Sequence, residues 1–181
     1  MKKEQDILQA AERLFYANGF HATSTDRICS EAGVSTRTLY RYFPSREMLT
    51  EAVMNARKDR FFAALHPVEH PAAVDQLFRV LGTWMQDYGS SGCFFLKVWG
   101  EYAEQDVWLS ALALDYRYEM REYIAACVRH MPGTHSEVLS DAIWILFEGA
   151  ITAALVAGPE AALRAGQAAA LLTSPSSAAD R

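Results

Sequence analysis

The sequence predicts an all-α protein of about nine helices. Apolar residues recur at three- and four-residue spacing along most of its 181 residues, which is the pattern of helices that bury one face. Clusters of proline, glycine and serine separate these stretches and are typical of helix ends. No stretch alternates apolar and polar residues between hairpin turns, so β-strands are not predicted. With 51% hydrophobic residues, the chain can form a sizeable core.

The first predicted helix runs from about Lys3 to Asn18, and the second begins a few residues later. The apolar face of the first helix consists of Ile7, Leu8, Ala11, Leu14 and Phe15. Asn18 and Gly19 form a stop signal. Thr25 is predicted to cap the second helix. Gly33 should end it, because glycine accepts the left-handed backbone of a helix end.

A third, short helix is predicted from Thr36 to Tyr42. Ser35 is a good N-cap for it, since its hydroxyl accepts a hydrogen bond from a free backbone amide. Leu39 and Phe43 lie four residues apart and form an apolar face. The opposite face carries polar side chains that reach base edges and phosphates, namely Thr36, Arg37, Tyr40 and Arg41. Two helices joined by a glycine turn, with such a face on the second, predict a DNA-reading surface.

The charge distribution agrees with this interpretation although the net charge is −5. Residues 1–60 hold ten basic and eight acidic side chains, whereas residues 61–181 hold seven and fourteen. Between Ser35 and Arg60 the basic residues outnumber the acidic ones by six to three. An acidic body behind a locally basic N-terminal part favours one orientation on DNA.

Pro44 and Ser45 end the third helix and begin a fourth, which is predicted from Arg46 to about Leu65. A cation in the first helical turn opposes the helix dipole. The cation here is Arg46, and its placement is favourable if a phosphate binds at this helix start. The alternative is a surface arginine without a role in binding.

Five more helices are predicted after a boundary at residues 66–71, HPVEHP, where two prolines interrupt the pattern. They cover about residues 73–88, 94–104, 107–131, 137–157 and 160–172, with a break at Pro132-Gly133-Thr134. The apolar stretch 142–158 is short for a membrane span and contains Glu148, so membrane insertion is not predicted.

Residues 7–49, ILQAAERLFYANGFHATSTDRICSEAGVSTRTLYRYFPSREML, resemble the N-terminal DNA-binding domain of the TetR family of transcriptional regulators. The resemblance rests on an amphipathic helix ending in glycine and an aromatic residue, Thr-Ser before the second helix, AGVS at the turn, LYRYF in the third helix and a basic residue after it. Arg46 stands where lysine is more usual, and Cys29 where alanine is common. Together with the polar face, the resemblance implies DNA contacts by Thr25, Ser35, Thr36, Arg37, Tyr40, Arg41, Tyr42 and Arg46.

The resemblance also implies a homodimer in which each chain has a C-terminal ligand-binding and dimerisation domain. The expected organisation is a helix-turn-helix domain at 1–46, a connecting helix at 47–65, the helical C-terminal domain at 71–173 and a disordered tail at 174–181.

The middle helices are rich in aromatic residues. Most of these side chains are expected simply to fill a core, but large apolar walls with a few polar groups are also the usual form of a small-molecule site. We predict that Trp99, Tyr102, Tyr116 and Trp144 bind the ligand.

The last two helices carry small residues at three- and four-residue spacing, which allows close helix approach. Those predicted to form a twofold dimer interface are Gly149, Ala150, Ala153, Ala157, Ala162, Ala165 and Gly166. The alternative is that they pack only within one chain.

Other classes of function find little support. The sequence has no glycine-rich phosphate loop, HExxH or CxxC motif, so no enzyme, metal or cofactor is predicted. Three cysteines without paired spacing and no signal-like N-terminal segment indicate the cytoplasm. We therefore expect a repressor that a small-molecule inducer releases from a palindromic double-stranded operator. The alternative is a ligand-independent architectural or co-regulatory DNA-binding protein.

Overall fold

The computed structural model of the protein describes residues 2–131 and 136–174. Within these residues the regular structure is entirely helical, which confirms the predicted fold class. The nine helices of this part of the chain are α1 (Lys2–Asn18), α2 (Thr25–Ala32), α3 (Thr36–Tyr42), α4 (Arg46–Ala63), α5 (Ala73–Tyr88), α6 (Phe94–Tyr102), α7 (Val107–His130), α8 (Glu137–Ala157) and α9 (Glu160–Thr173). The predicted break at Pro132-Gly133-Thr134 lies outside the described residues, and so does the predicted tail at 174–181 apart from Ser174.

The prediction that Thr25 caps the second helix is wrong. Ser24 has the extended backbone of an N-cap, with φ −78° and ψ 153°, and its side chain accepts a hydrogen bond from the Arg27 amide. Thr25 is already the first helical residue. Thr23, Ser24 and Thr25 all have a hydroxyl that could cap the helix. The Thr23 hydroxyl does not cap it but donates to the carbonyl of Gly19 at 2.7 Å.

The chain divides into two compact units. The first unit consists of Met1–Phe62 and Cys93–Arg117, and the second of Ala63–Gly92 and Tyr118–Arg181. All of α6 and the first part of α7 thus belong to the same unit as α1–α4. The organisation that the family resemblance implies has α6 in the C-terminal domain, and those boundaries stay a prediction.

In the first unit, α1, α2 and α3 contact one another and form what we call the head. Gly33 joins α2 to α3 with the left-handed backbone that the sequence predicts, at φ 64°. The largest fully buried side chains of α1–α4 and the turn after α1 are Ile7, Phe15, Phe20, Ile28, Leu39, Leu49 and Met54.

In the second unit, α9 packs against both α5 and α8. Gly166 allows a close approach, because a Cβ atom there would lie 2.9 Å from Cβ of Phe78. A Cβ atom on Gly82 would lie 3.6 Å from Cβ of Ala162, which is an ordinary contact distance. By length and composition alone α8 could also cross a membrane, a property that core helices of globular proteins share.

Candidate nucleic-acid interface

The short helix α3 is fixed at both ends and from beneath. At its start, the Ser35 side chain accepts a hydrogen bond from the Thr38 amide at 3.2 Å, as predicted. At its end, the Phe43 amide donates to the Leu39 carbonyl at 2.8 Å. The side chains of Leu39 and Phe43 are buried, with 2% and 6% of their surface exposed. A helix of seven residues is marginal by itself, so this anchoring is what holds its outer face in place.

The outer face of α3 is polar, basic and exposed. Thr36 and Tyr40 lie one turn apart, as do Arg37 and Arg41, and all four are exposed. The Arg41 guanidinium lies 5.2 Å from the centre of the half-buried Tyr42 ring. The structure thus places four of the predicted DNA-binding residues on one surface, with Tyr42 at its edge. Their hydroxyl, phenol and guanidinium groups are donors suited to base edges and phosphates.

The thiol behind this surface is structural. Cys29 is buried. Burial raises the pKa of the Cys29 thiol, and a hydrogen bond with the Thr36 side chain partly opposes this shift. Thr36 therefore links α3, the predicted recognition helix, to α2.

Arg46 is engaged within the first unit. It is the first residue of α4, as predicted, and its guanidinium donates hydrogen bonds to the carbonyls of Phe20 and Thr23. The same group lies 5.0 Å from the centre of the Phe15 ring. Arg46 therefore binds the turn between α1 and α2. Phosphate contact by Arg46, and by the half-buried Thr25, stays a prediction.

A buried ion cluster that the sequence reading missed joins α1 to α4. Glu12 accepts a hydrogen bond from Arg57 at 2.5 Å, and Arg60 lies 2.6 Å from its second carboxylate oxygen. The side chains of Glu12 and Arg57 are 9% and 8% exposed. The Arg57 guanidinium also lies over the rings of Tyr16 and Phe94. Helix α4, which follows α3 directly, is thereby fixed to the first helix of the head.

Three of the four predicted ligand-binding residues lie in the first unit. Tyr102 is buried against the rings of Phe20 and His21. Tyr116 stacks on Phe95 with ring centres 3.7 Å apart. Trp99 is on α6 and 44% exposed. The buried aromatic packing of Tyr102 and Tyr116 is what core residues show, and the predicted ligand role of all three side chains is untested.

Trp144, on α8 in the second unit, differs from these three. Its indole nitrogen is buried and has no hydrogen-bond partner among the described residues. The guanidinium of Arg121 lies 5.7 Å from its ring centre and also binds Asp141 at 2.7 Å. A buried donor without an acceptor is unfavourable, so a ligand with an acceptor group would improve this site.

Two surface pockets of the second unit offer further space. One, of about 470 Å³, lies between α7 and α8 and is lined by Arg121, Glu122, Arg129, Glu137 and Asp141 among others. The other, of about 490 Å³, lies between α5 and α9. Among the described residues, none of the four predicted ligand-binding side chains lines either of these two pockets.

The small residues predicted for dimerisation divide into two groups. Gly149, Ala153 and Ala157 are exposed on α8. Ala150, Ala162 and Ala165 are buried, and Gly166 packs against Phe78, so these four pack within the chain. The exposed group is accompanied by large exposed apolar side chains on α8 and α9, namely Ile145, Leu155, Val156, Leu163 and Leu171.

Comparisons with known proteins agree with the helix-turn-helix. Residues 7–53 match the family model described as bacterial regulatory proteins, tetR family. The HTH-type transcriptional regulator UidR of Escherichia coli strain K12 is 38% identical over 72 residues, which are 39% of this chain and 37% of UidR. RutR of the same strain is 34% identical over 97 residues, 51% of this chain and 46% of RutR. The matches thus cover less than half the length of each relative.

The likeness to a solved structure extends over almost the whole chain. The crystal structure of SCO4454, a TetR-family transcriptional regulator from Streptomyces coelicolor, superposes with a TM-score of 0.84. The superposition covers 95% of this chain and 94% of SCO4454 at 22% sequence identity. At this identity, the likeness concerns the fold.

Proposed function

The chain belongs to the TetR family of bacterial regulatory proteins, and from this premise we propose that it is a sequence-specific, DNA-binding transcriptional regulator. It binds a near-palindromic operator as a homodimer, with one α3 in each of two successive major grooves. Bound there it represses transcription in the cytoplasm. A small molecule that prefers a conformation with differently spaced heads releases it, to an extent set by the difference in affinity for the two conformations.

The observation that carries the proposal is the outer face of α3. Its exposed donors stand on a helix that a serine cap and two buried side chains hold in one orientation. Such pre-organisation suits direct readout, because bidentate contacts to base edges require fixed geometry. Arg37 is exposed on this face and is the side chain that we assign to a base edge.

The test begins with selection of bound duplexes from random-sequence DNA by the wild-type protein. Arg37→Ala should then cost about 1–3 kcal/mol of binding free energy and relax preference at one base pair of each half-site. Arg79→Ala, which removes an exposed arginine of the second unit, serves as the matched control. Equal weakening by Arg37→Ala on all sequences would refute base readout by this residue.

Dimerisation through α8 and α9 is supported by their exposed apolar face. Val156 is 94% exposed, so a polar substitution there leaves the fold of the monomer intact. Val156→Glu should shift the protein from dimer to monomer in sedimentation experiments. Val107→Glu changes a valine of the first unit that is 78% exposed and should leave the dimer unchanged.

The ligand step is supported by the buried indole N–H of Trp144. A ligand carbonyl or carboxylate that accepts this hydrogen bond would satisfy a donor that has no partner among the described residues. Screening a metabolite collection for release of the selected duplex tests this step. If Trp144→Phe abolishes release by an active compound but preserves DNA binding, the assignment holds. If no compound releases the duplex, the ligand-independent alternative is favoured.

A further inference from the structure

Glu101 of α6 binds the turn between α1 and α2. The backbone amides of Phe20 and His21 both donate hydrogen bonds to its carboxylate, at 2.8 and 2.7 Å. The Nδ1 atom of the His21 ring lies 3.0 Å from the same carboxylate. One side chain therefore holds three polar groups of a turn that is 80 residues away in the sequence.

Lys97, one helical turn before Glu101, binds the end of α1. Its ammonium donates to the Tyr16 carbonyl at 2.9 Å and lies 4.7 Å from the centre of the Tyr16 ring. This carbonyl is in the last turn of α1, where carbonyls lack partners in the helix and the dipole favours a cation. Burial lowers the pKa of Lys97, and the Glu101 carboxylate opposes that shift. We call Lys97 and Glu101 the α6 clasp.

The geometry of the clasp is tight. A Cβ atom on Gly19 would lie 2.9 Å from Oε1 of Glu101, and Gly19 has a φ of +92° that L residues rarely adopt. Phe20 is bound at both of its backbone polar groups. Its amide donates to Glu101, and its carbonyl accepts a hydrogen bond from Arg46. The turn is therefore held by α4 and α6 at the same time.

We propose that Lys97 and Glu101 are positioning residues for DNA recognition, through which α6 fixes the orientation of the α2–α3 pair. This inference rests on the proposed function. Helix α2 begins directly after the turn, and α3 follows α2 across Gly33. A shift of the turn therefore moves the outer face of α3. Hydrogen bonds to a carboxylate are about twice as strong as neutral ones, which makes the clasp a firm support.

The inference predicts how operator binding depends on half-site spacing. Rigid heads in a dimer bind best at one spacing, because both recognition helices must meet their grooves together. A loosened turn lets each head adjust, so the preference for that spacing weakens. Loss of folded protein, in contrast, lowers binding equally at every spacing.

The test uses the duplex that wild-type protein selects from random sequence, together with versions whose half-sites are one base pair closer or farther apart. Glu101→Gln keeps the side-chain size but turns an amide NH₂ toward backbone donors. Affinity at the selected spacing should fall about tenfold, the effect of one charge-assisted hydrogen bond, and should fall less at the altered spacings. An equal fall at all spacings, or no fall, overturns the proposal.

A measurement without DNA distinguishes failure of the clasp from failure of the proposed function. Amide hydrogen exchange at Phe20 and His21 should become about tenfold faster in Glu101→Gln, and unchanged exchange refutes the clasp. If the wild-type protein selects no duplex, the proposed function fails while the exchange result still decides the structural part. Glu104→Gln, an exposed carboxylate beyond the end of α6, is the control. If Glu101→Gln does not fold, Lys97→Met provides the spacing readout, because it removes the hydrogen bond from α6 to the Tyr16 carbonyl.

Discussion

The buried carboxylate of Glu12 provides a quantitative test of how α1 and α4 hold together. Glu12→Gln keeps the shape of the side chain but removes the charge that faces Arg57 and Arg60. Removing one partner of a buried ion pair costs about 3–5 kcal/mol. Arg60 is 38% exposed and can turn to water, whereas Arg57 is 8% exposed and cannot. We therefore expect a loss of about 3 kcal/mol in the free energy of unfolding.

The assay is urea unfolding of the wild-type protein and the variant at the same protein concentration. Glu31→Gln is the matched control, since Glu31 lies 3.0 Å from Arg13 but both side chains are largely exposed, by 45% and 65%. An exposed pair contributes about 0–1 kcal/mol. If Glu12→Gln cost no more than this control, the buried cluster would not be what fixes α4 to the head.

Further predictions concern the second unit. Gly166→Ala should lower the free energy of unfolding by about 1–3 kcal/mol, because the added methyl group clashes with Phe78. Gly82→Ala, between the same two helices, should be neutral or raise it by up to about 1 kcal/mol. Thermal unfolding of the two variants compares these effects. Burial raises the pKa of Cys127 from 9.0 to about 11. Because the unfolded thiol loses its proton first, stability should fall between about pH 9 and 11, by about 2–3 kcal/mol. Cys127→Ala should reduce this loss in unfolding measured across that pH range.

The recognition helix could be predicted from the sequence because its determinants are local. Gly33 and Ser35 act within a few residues of themselves, one by accepting positive φ and the other by capping. Leu39 and Phe43 are one turn apart, so their common face follows from helix geometry. The wrong prediction that Thr25 caps α2 also has a local reason. Neighbouring hydroxyl residues are nearly equivalent as caps, and the backbone conformation decides which of them becomes the cap.

The contacts of Arg46 and Glu101 could not be predicted in this way. Their partners are backbone carbonyls and amides, 26 residues away for Arg46 and about 80 for Glu101. Every residue has such groups, so residue types carry no signal of which ones will meet a charged side chain. The aromatic pattern has the same weakness. Periodicity placed Tyr102 and Tyr116 on helices, but it does not indicate which neighbours they pack against.

The small residues of α8 and α9 show what decides between packing within and between chains. The small residues of α8 lie on two different faces of the helix, and α9 packs against only one of them. The other face keeps Ile145, Val156 and, on α9, Leu163 and Leu171 at 61% exposure or more. Fully burying one such side chain stabilises by about 1.5–3 kcal/mol. If a twofold interface buried the exposed parts of these four side chains on both chains, the gain would be about 9–18 kcal/mol, which is comparable with the cost of association of about 4–15 kcal/mol.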